Sequence, residues 1–320
     1  MEKQEFKQSF TADKSDFGQR FDQTVAKYCT EVSRSKLQDW IKKGCVKLNG
    51  EVITKARVKL MGDETIEIDA ELEIAGEWQP QDIPLDVVFQ DEHILVINKP
   101  AGLVVHPAPG NKDGTLVNAL LHLDPDLKHL PRAGIIHRLD KETSGLLIVA
   151  RTLEAHTHLV AQLQERAFER EYQCICHGQM VSGGSIDEPI GRHPQSRIKM
   201  AVTTSGKEAI THFRLREKFN DFTHLKVNLE TGRTHQIRVH MAHLHYPLVG
   251  DPTYGRANYA PSGSSDRLKQ AVRGFKRQAL HARKLGVMHP VTQESLSWEV
   301  APPEDYTELL KVLQQENPIS

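Results

Sequence analysis

The stretch GIIHRLDKETSGLLIVAR, residues 134–151, places a cluster of charged and polar residues between two apolar runs. Short apolar runs of this kind are typical of buried strands, so we predict a strand, a turn and a second strand. The polar residues then lie on a loop held by rigid elements, where catalytic side chains are commonly found. Asp140 is the candidate catalytic carboxylate. The alternative is a surface turn, in which Asp140, Thr143 and Gly145 only supply turn chemistry.

Strands and helices are interspersed on both sides of this stretch without a regular strand–helix–strand rhythm. Strands are predicted near residues 87–89, 94–99, 170–177, 211–216 and 223–229, and helices near 115–123, 152–166, 235–243 and 264–275. This irregular order favours an α+β fold, with a mixed, mainly antiparallel sheet flanked by helices, over a doubly wound parallel sheet. We assign residues 86–320 to this larger domain.

The composition is that of a globular protein, with 320 residues, 38% of them hydrophobic and 26% charged. No apolar run approaches the roughly 18 residues of a membrane span, so no membrane attachment is expected. The four cysteines form no CxxC pair and are too few for a disulfide framework, which indicates reduced thiols and a cytoplasmic location. Residues 1–17 are polar and mixed in charge, so we expect a frayed tail rather than a secretion signal.

The formal net charge of −1 conceals two strongly basic segments. The first segment contains nine basic and three acidic residues. Its basic residues are Lys27, Arg34, Lys36, Lys42, Lys43, Lys47, Lys55, Arg57 and Lys59. The second contains Arg267, Lys269, Arg273, Lys276, Arg277, Arg283 and Lys284. Either segment alone is typical of a solvated helix face. Two of them in one chain favour contact with RNA phosphates.

Residues 18–75 have the pattern of a small separate module. Two short amphipathic helices are predicted before Gly44, with Ser33 as the N-cap of the second helix and Gly44 as its end. Asn49-Gly50 is a type I′ turn signal between two short strands. Residues 76–85, which contain two prolines, are predicted to be a linker.

A second polar motif, LETGRTHQIRVH at residues 229–240, begins where a predicted strand ends. A helix starting here would direct its backbone N–H groups, with Arg233 and Arg238, toward an anion. His235 and Gln236 extend the same polar surface and are further candidate RNA contacts. A zinc site is the alternative, with ligands drawn from His235, His240, His243 and His245. No neighbouring acid or cysteine completes a familiar metal motif, so we expect no metal site.

These segments resemble two known families. Residues 18–75 resemble the S4 RNA-binding domain in the SRSK helix start, the GCVKLNG hairpin and the LMGDETI ending. The rest resembles the pseudouridine synthases of the ribosomal large-subunit type. The matching pieces are NKPAG at 98–102, HRLDKETSGL at 137–146, REY at 170–172, LETGRTHQIRVHM at 229–241, HYPLVGDPTYG at 245–255 and LHA at 280–282.

The resemblance implies an isomerase that converts uridine to pseudouridine in RNA. It makes Asp140 the essential aspartate, Tyr172 the aromatic residue that stacks on the target base, and Arg238 the ion-pair partner of Asp140. Arg138 would fill the gap that the flipped nucleotide leaves. In the S4 module, the residues expected to contact RNA are Arg34, Lys36, Lys42 and Lys43.

The resemblance also implies a substrate, the helix 69 stem-loop of 23S ribosomal RNA on the assembling large subunit. Because the isomerisation adds and removes no atoms, we expect no redox, nucleotide or metal cofactor. We expect the protein to act as a monomer. Two alternatives stay open on the sequence alone. One is an S4-type RNA-binding ribosome assembly factor without activity, and the other is a metal-dependent nuclease or hydrolase that uses the histidine cluster.

Overall fold

The computed structural model describes residues 3–29, 32, 34–73, 78–108, 110–196, 198–256 and 259–319. The chain divides into two units, Met1–Glu77 and Trp78–Ser320. Each unit has a hydrophobic core of its own.

The first unit combines a four-stranded antiparallel sheet with two helices. Its strands are β1 (Lys3–Thr11), β2 (Val46–Leu48), β3 (Glu51–Val52) and β4 (Thr65–Glu73), in the order β1-β4-β2-β3. Its helices are α1 (Phe21–Tyr28) and α2 (Arg34–Lys42). Phe21, Leu37 and Ile41 lie on the apolar faces of these helices and are fully buried in the core they share with the sheet. Burial of such faces supplies most of the stability of short helices.

The turns of this unit agree with the sequence signals. Asn49 (φ 50°) and Gly50 (φ 82°) both lie in the left-handed region, as a type I′ turn between β2 and β3 requires. Gly44 (φ 78°) lies in the same region just after α2, as expected of a residue that ends a helix. Both predictions are confirmed. Ser33, the predicted N-cap, lies outside the described residues.

The prediction of a frayed tail over residues 1–17 is wrong for the described part, because residues 3–11 form β1. This strand pairs antiparallel with β4 along its whole length. Phe6 and Phe10 pack against the core of the unit, and the Phe10 ring stacks on Tyr28 with 5.0 Å between centroids. The residues that alternate with them are exposed, so the segment looks polar in sequence although one of its faces is apolar.

The second unit contains a nine-stranded sheet and a separate two-stranded hairpin. Its strands are β5 (Asp86–Gln90), β6 (Ile94–Lys99), β7 (Ser144–Ala150), β8 (Glu169–His177), β9 (Gly184–Asp187), β10 (Ile190–Arg192), β11 (Met200–Val202), β12 (Ile210–Lys218), β13 (Phe222–Leu229), β14 (Leu280–Met288) and β15 (Ser295–Glu299). The sheet order is β5-β6-β7-β14-β8-β13-β12-β9, with β15 also paired to β14, and β10 and β11 form the hairpin. Every strand pair that the structure describes is antiparallel except β7–β14. The predicted mixed, mainly antiparallel sheet is therefore confirmed.

Helices cover both faces of the sheet. They are α3 (Leu116–Leu123), α4 (Leu153–Gln164), α5 (Gln236–His243), α6 (Asp266–Gly274) and α7 (Glu304–Glu316). Helices α3 and α5 share one core with Leu147 and Cys174, while α4, α6 and α7 pack on the opposite face with Ile148 and Ile175. The central strands β7 and β8 are buried almost throughout for this reason. No helix in the described part of the chain is long and apolar enough to cross a lipid bilayer.

The segment predicted to be a linker is bound to the second unit from Trp78 onward. Gln81 donates its backbone N–H to the carbonyl of Asn118 on α3 (2.9 Å), and Asn118 Nδ2 donates to the carbonyl of Gln79 (2.8 Å). This part of the predicted linker is therefore anchored to a helix. Residues 74–77 lie outside the described residues.

The first half of the strand–turn–strand prediction at residues 134–151 is wrong. Strand β7 forms as expected, but residues 131–134 make a 3₁₀ turn and only Ile135 forms a bridge to the sheet. Gly134 has a φ of 76°, and a Cβ atom there would lie 2.0 Å from the carbonyl oxygen of Ala150. Because the chain bends sharply at this glycine, residues 136–143 form a loop instead of a strand.

Candidate active site

Asp140 lies on the loop that precedes β7, beside a cavity of about 780 Å³. Its carboxylate Oδ2 accepts a hydrogen bond from Arg238 Nη1 at 3.0 Å, and its side chain is 16% exposed. Leu139 is buried next to it and anchors the loop in the core. The carboxylate is thus paired, oriented and still open to the cavity.

Lys99 fastens the loop that carries Asp140. This lysine at the end of β6 is fully buried, and its Nζ donates to the carbonyls of Pro100 (2.8 Å), Leu103 (2.9 Å) and Lys141 (3.0 Å). Three carbonyl acceptors use the three donors of an ammonium group. Lys99 therefore fixes the backbone next to Asp140, a role that the sequence motif NKPAG did not reveal.

Arg238 is held in place by Asp251, which sequence reasoning missed. Its Nε and Nη2 donate to the two carboxylate oxygens of Asp251 at 2.7 and 2.9 Å. Asp251 is fully buried and also accepts from the backbone N–H groups of Thr253 (2.8 Å) and Tyr254 (3.0 Å). Burial by itself would raise the pKa of Asp251, but the hydrogen bonds and charge of Arg238 outweigh it and lower that pKa. The result is an Asp140–Arg238–Asp251 triad with a fixed guanidinium.

Tyr254 and His235 complete the surroundings of this triad. The Tyr254 hydroxyl lies 2.8 Å from His235 Nδ1 and accepts from the backbone N–H of Met200 at 2.8 Å. The Arg238 guanidinium carbon lies 5.1 Å from the centroid of the Tyr254 ring, within cation–π range. His235 Nε2 lies 3.9 Å from Asp140 Oδ1. Burial lowers the pKa of His235 despite the opposing charge of Asp140, so this imidazole is neutral near pH 7.

Tyr172 forms an aromatic wall of the same cavity. It lies on β8 between Val227 of β13 and Ala282 of β14, and only 7% of its surface is exposed. Burial raises the pKa of the phenol, with Arg170 opposing and Asp140 reinforcing that shift, so Tyr172 is neutral at physiological pH. The structure therefore brings the three predicted catalytic residues, Asp140, Tyr172 and Arg238, to one cavity.

Arg138 and Arg233 also line this cavity. Arg138 is exposed and makes no hydrogen bond or ion pair with any described residue. Arg233 is half-buried, and its Nε donates to the carbonyl of Glu208 at 2.8 Å. Arg138, two residues before Asp140, is thus the more available of the two for a ligand.

We predicted Gln236 to be an RNA contact, but its side chain is bonded inside the protein. Its Oε1 accepts from Thr231 Oγ1 (2.8 Å) and from the backbone N–H of Arg233 (2.9 Å). Its Nε2 donates to the carbonyl of Ile210 and to Thr211 Oγ1, both at 3.0 Å. These four bonds satisfy a buried amide inside the protein. Gln236 therefore shapes the loop before α5 and has no free polar group to offer RNA.

The predicted RNA contacts of the S4 module all lie in the first unit, on or just after α2. Lys42 and Lys43 are exposed, and Lys43 pairs with Asp39 at 2.8 Å. Arg34 donates to the fully buried carboxylate of Asp22 at 2.8 Å, so part of its charge stabilises the fold. Lys36 is half-buried.

The second basic segment is not one RNA-facing surface, contrary to the sequence interpretation. Arg277 is buried, binds Asp305 through two bonds of 2.6 and 2.7 Å, and donates to the carbonyl of Glu142 at 3.2 Å. Arg283 on β14 pairs at 2.9 Å with Glu171 on β8. These cations neutralise acids on neighbouring elements. Counting charges along the sequence cannot distinguish such paired cations from solvated ones.

The histidines proposed as alternative zinc ligands have other contacts. His240 is buried, with Nδ1 2.8 Å from Thr211 Oγ1 and Nε2 3.0 Å from the carbonyl of Glu188. His235 contacts Tyr254 as described above. Within the described ranges, no three His, Cys, Asp or Glu side chains are grouped so that they could hold a metal ion.

Arginines dominate the charge of the cavity wall, and they are Arg132, Arg138, Arg166, Arg170, Arg233 and Arg238. The carboxylates on the same wall, among the residues that the structure describes, are those of Asp140 and Glu230. Burial lowers the pKa of His106 to about 4 and that of His137 to about 3, so neither adds charge at neutral pH. This excess of positive charge around one paired carboxylate favours a polyanionic ligand.

Comparisons with known proteins agree with this geometry. The family model described as RNA pseudouridylate synthase matches residues 93–243, and the S4 domain model matches residues 19–66. The chain belongs to the RNA pseudouridylate synthase family and is an isomerase, with an S4 domain before the catalytic unit.

The similar relatives match along nearly their whole length. The chain is 53% identical over 300 residues to a ribosomal large subunit pseudouridine synthase D from Xanthomonas campestris, covering 94% of this chain and 90% of the relative. It is 54% identical over 299 residues to the protein of that name from Pseudomonas aeruginosa, covering 93% of both. Among solved structures, human RNA Pseudouridylate Synthase Domain Containing 4 is 25% identical with a TM-score of 0.58, covering 72% of this chain and 93% of that one.

Proposed function

We propose that this protein isomerises uridine to pseudouridine in 23S ribosomal RNA, in the helix 69 stem-loop, during maturation of the large ribosomal subunit. The observation that carries the proposal is the Asp140–Arg238–Asp251 triad beside Tyr172 in an arginine-lined cavity. The relatives named ribosomal large subunit pseudouridine synthase D support the choice of substrate. We further propose that it acts as a cytoplasmic monomer without a cofactor.

The reaction breaks the C1′–N1 bond, turns the uracil and forms a C1′–C5 bond. The proton on C5 is lost and N1 gains one, so the composition of the RNA does not change. Asp140 has two ways to start it, by attack on C1′ or by removal of the C2′ proton to give a glycal. Both need the carboxylate form, and Arg238 at 3.0 Å stabilises that form and fixes its direction.

The remaining wall residues control the base. A uridine inside a stacked helix cannot reach Asp140, so it must be flipped into the cavity. Tyr172 then stacks on the uracil and holds it while the glycosidic bond is open. Buried apolar groups on the cavity wall, including Leu139 and Ile237, exclude water that would otherwise release the base.

Arg138 and the S4 module handle the RNA around the target. Arg138 is exposed beside the Asp140 loop, and its planar guanidinium is suited to replace the stacking of the flipped nucleotide. Lys42 and Lys43 on the S4 module bind phosphates of the folded stem-loop. The two units together thus recognise one uridine by its structural context.

The test maps pseudouridines in large-subunit ribosomal RNA from cells that lack the gene and carry a plasmid copy. The wild-type copy should restore the missing sites, and Asp140→Asn should restore none. Asp124→Asn is the matched control, because Asp124 is 15% exposed and pairs with Arg151 at 2.9 Å away from the cavity. This control should restore every site.

Three results distinguish the hypotheses. Loss of no site in the deletion strain would reject ribosomal RNA as the substrate. Full restoration by Asp140→Asn would favour an RNA-binding assembly factor without activity. If helix 69 keeps its pseudouridines and a different site loses its pseudouridine, only the target site named in the proposal is wrong.

A further inference from the structure

Arg170 stands out among the buried charges of the second unit. It lies on β8, two residues before Tyr172 and on the same face of the strand, and only 5% of its surface is exposed. Its Nη2 donates to the backbone carbonyls of Leu229 (3.4 Å) and Glu230 (2.9 Å). Its Nε is enclosed without a partner, and its Nη1 has no hydrogen bond to any described residue.

The other buried arginines have carboxylate partners, and Arg170 differs from them in this respect. Three arginines in the described part of the chain are buried, namely Arg170, Arg238 and Arg277. Arg238 binds Asp251 and Asp140, and Arg277 binds Asp305 through two bonds. Arg170 has no carboxylate within 4.0 Å among the described residues. Because an unpaired buried charge is costly, a counter-ion from a ligand would complete this site.

The position of Arg170 identifies where that ligand comes from. Arg170 lines the same cavity as Asp140, and Tyr172 is close enough for its pKa to respond to both of these charges. Gly232 opposite Arg170 keeps this space open, because a Cβ atom there would lie 2.9 Å from Nη1. The open donor of Arg170 thus belongs to the cavity that receives the substrate.

We propose that Arg170 binds a backbone phosphate of the flipped nucleotide, at one of the two linkages that flank the target uridine. Uracil is neutral, so the phosphates are the anions that an RNA substrate brings into this cavity. The Nη1 group of Arg170, which has no hydrogen bond to any described residue, can donate a charge-assisted hydrogen bond to a phosphate oxygen. The proposal rests on the proposed function and adds a phosphate subsite to it.

The experiment uses the full-length protein and stem-loop RNAs in which one phosphate next to the target is replaced by an uncharged methylphosphonate. Single-turnover modification gives the rate constant and the half-saturating protein concentration for each RNA. With wild-type protein, one of the two replacements should raise the half-saturating concentration about tenfold. Arg170→Met should raise it about tenfold on unmodified RNA and should be insensitive to that same replacement.

Arg267→Met is the matched control, because Arg267 lies on α6 outside the cavity lining and pairs with Glu316 (3.3 Å). It should keep the wild-type response to the methylphosphonate. The salt dependence adds a second readout. Removing one phosphate contact should reduce the slope of log K against log salt by about 0.7–0.9 for Arg170→Met only.

The outcomes separate a phosphate ligand from a structural role. If Arg170→Met responds to both methylphosphonates as the wild type does, Arg170 only supports the 229–232 loop and the proposal is overturned. Arg170→Lys keeps the positive charge, so it should recover part of the affinity and of the methylphosphonate response. This recovery distinguishes loss of a phosphate contact from a folding defect. If the wild-type protein modifies none of the RNAs, the proposed function is rejected. The phosphate subsite is then rejected as well, because it depends on that function.

Discussion

Asp251→Asn tests whether the buried carboxylate that binds Arg238 sets the geometry of the proposed catalytic pair, Asp140 and Arg238. Asp251 holds Arg238 through bonds of 2.7 and 2.9 Å. Asparagine keeps the side-chain size and one oxygen for the N–H groups of Thr253 and Tyr254. It removes the charge, however, and places an amide N–H against a guanidinium N–H. The substitution therefore breaks the clamp on Arg238 with the smallest change in shape.

The expected losses in stability and rate have separate origins. Removing one partner from a buried ion pair costs about 3–5 kcal/mol, because the other charge stays buried. For a unit of this size, that corresponds to a decrease in Tm of about 6–20 °C. A charge-assisted hydrogen bond is worth about 1.5–3 kcal/mol. Misalignment of the 3.0 Å bond from Arg238 to Asp140 should therefore lower the chemical rate roughly 10- to 150-fold.

The assay is single-turnover modification of the stem-loop RNA, performed well below the Tm of the variant, with thermal unfolding measured in parallel. Asp22→Asn is the control, since Asp22 is another fully buried carboxylate and pairs with Arg20 and Arg34 in the first unit. It should lower stability and leave the chemical rate unchanged. A wild-type rate for Asp251→Asn would refute the reasoning, because Arg238 would then keep its position without the clamp.

Two further predictions concern Lys99 and the S4 module. Burial lowers the pKa of Lys99 from about 10.5 to about 7, so between these pH values the unfolded chain binds more protons than the folded chain. The free energy of unfolding should therefore rise with pH in this window by up to about 1.4 kcal/mol per unit, and Lys99→Met should remove that dependence in urea titrations. An identical pH dependence in both proteins would contradict this. Charge reversal at Lys42 and Lys43 should weaken stem-loop binding and reduce its salt slope, whereas Lys311→Glu, at an exposed position on α7, should not. Unaltered binding would leave the S4 module without a role on this RNA.

Several elements were predictable because their signals are local. Gly44 and the Asn49-Gly50 pair each specify a left-handed backbone, which few other residues adopt at low cost. The apolar run of β7 is buried on both faces and is correspondingly continuous in sequence. Signals of this kind depend on neighbouring residues alone, so they survive without knowledge of the fold.

Strand β14 shows why other elements were missed. It lies at the centre of the sheet, between β7 and β8, yet its sequence LHARKLGVM contains two adjacent cations. Arg283 and Lys284 are compatible with this position because Glu171 and Glu169 of β8 pair with them at 2.9 and 2.7 Å. These partners are more than a hundred residues away in sequence, so a local pattern cannot show that the charges are compensated.

The sequence by itself determined the candidate carboxylate, the loop that carries it and, through its resemblance to a known family, the residues expected around it. Only the tertiary structure decided how those residues are held and charged. It showed that Asp251 holds Arg238 and that four internal hydrogen bonds enclose Gln236. It also left Arg170 buried with no carboxylate partner among the described residues. The physical reason is that burial and ion pairing depend on which distant segments meet. The free energy of a charge is set by those neighbours and not by its place in the chain.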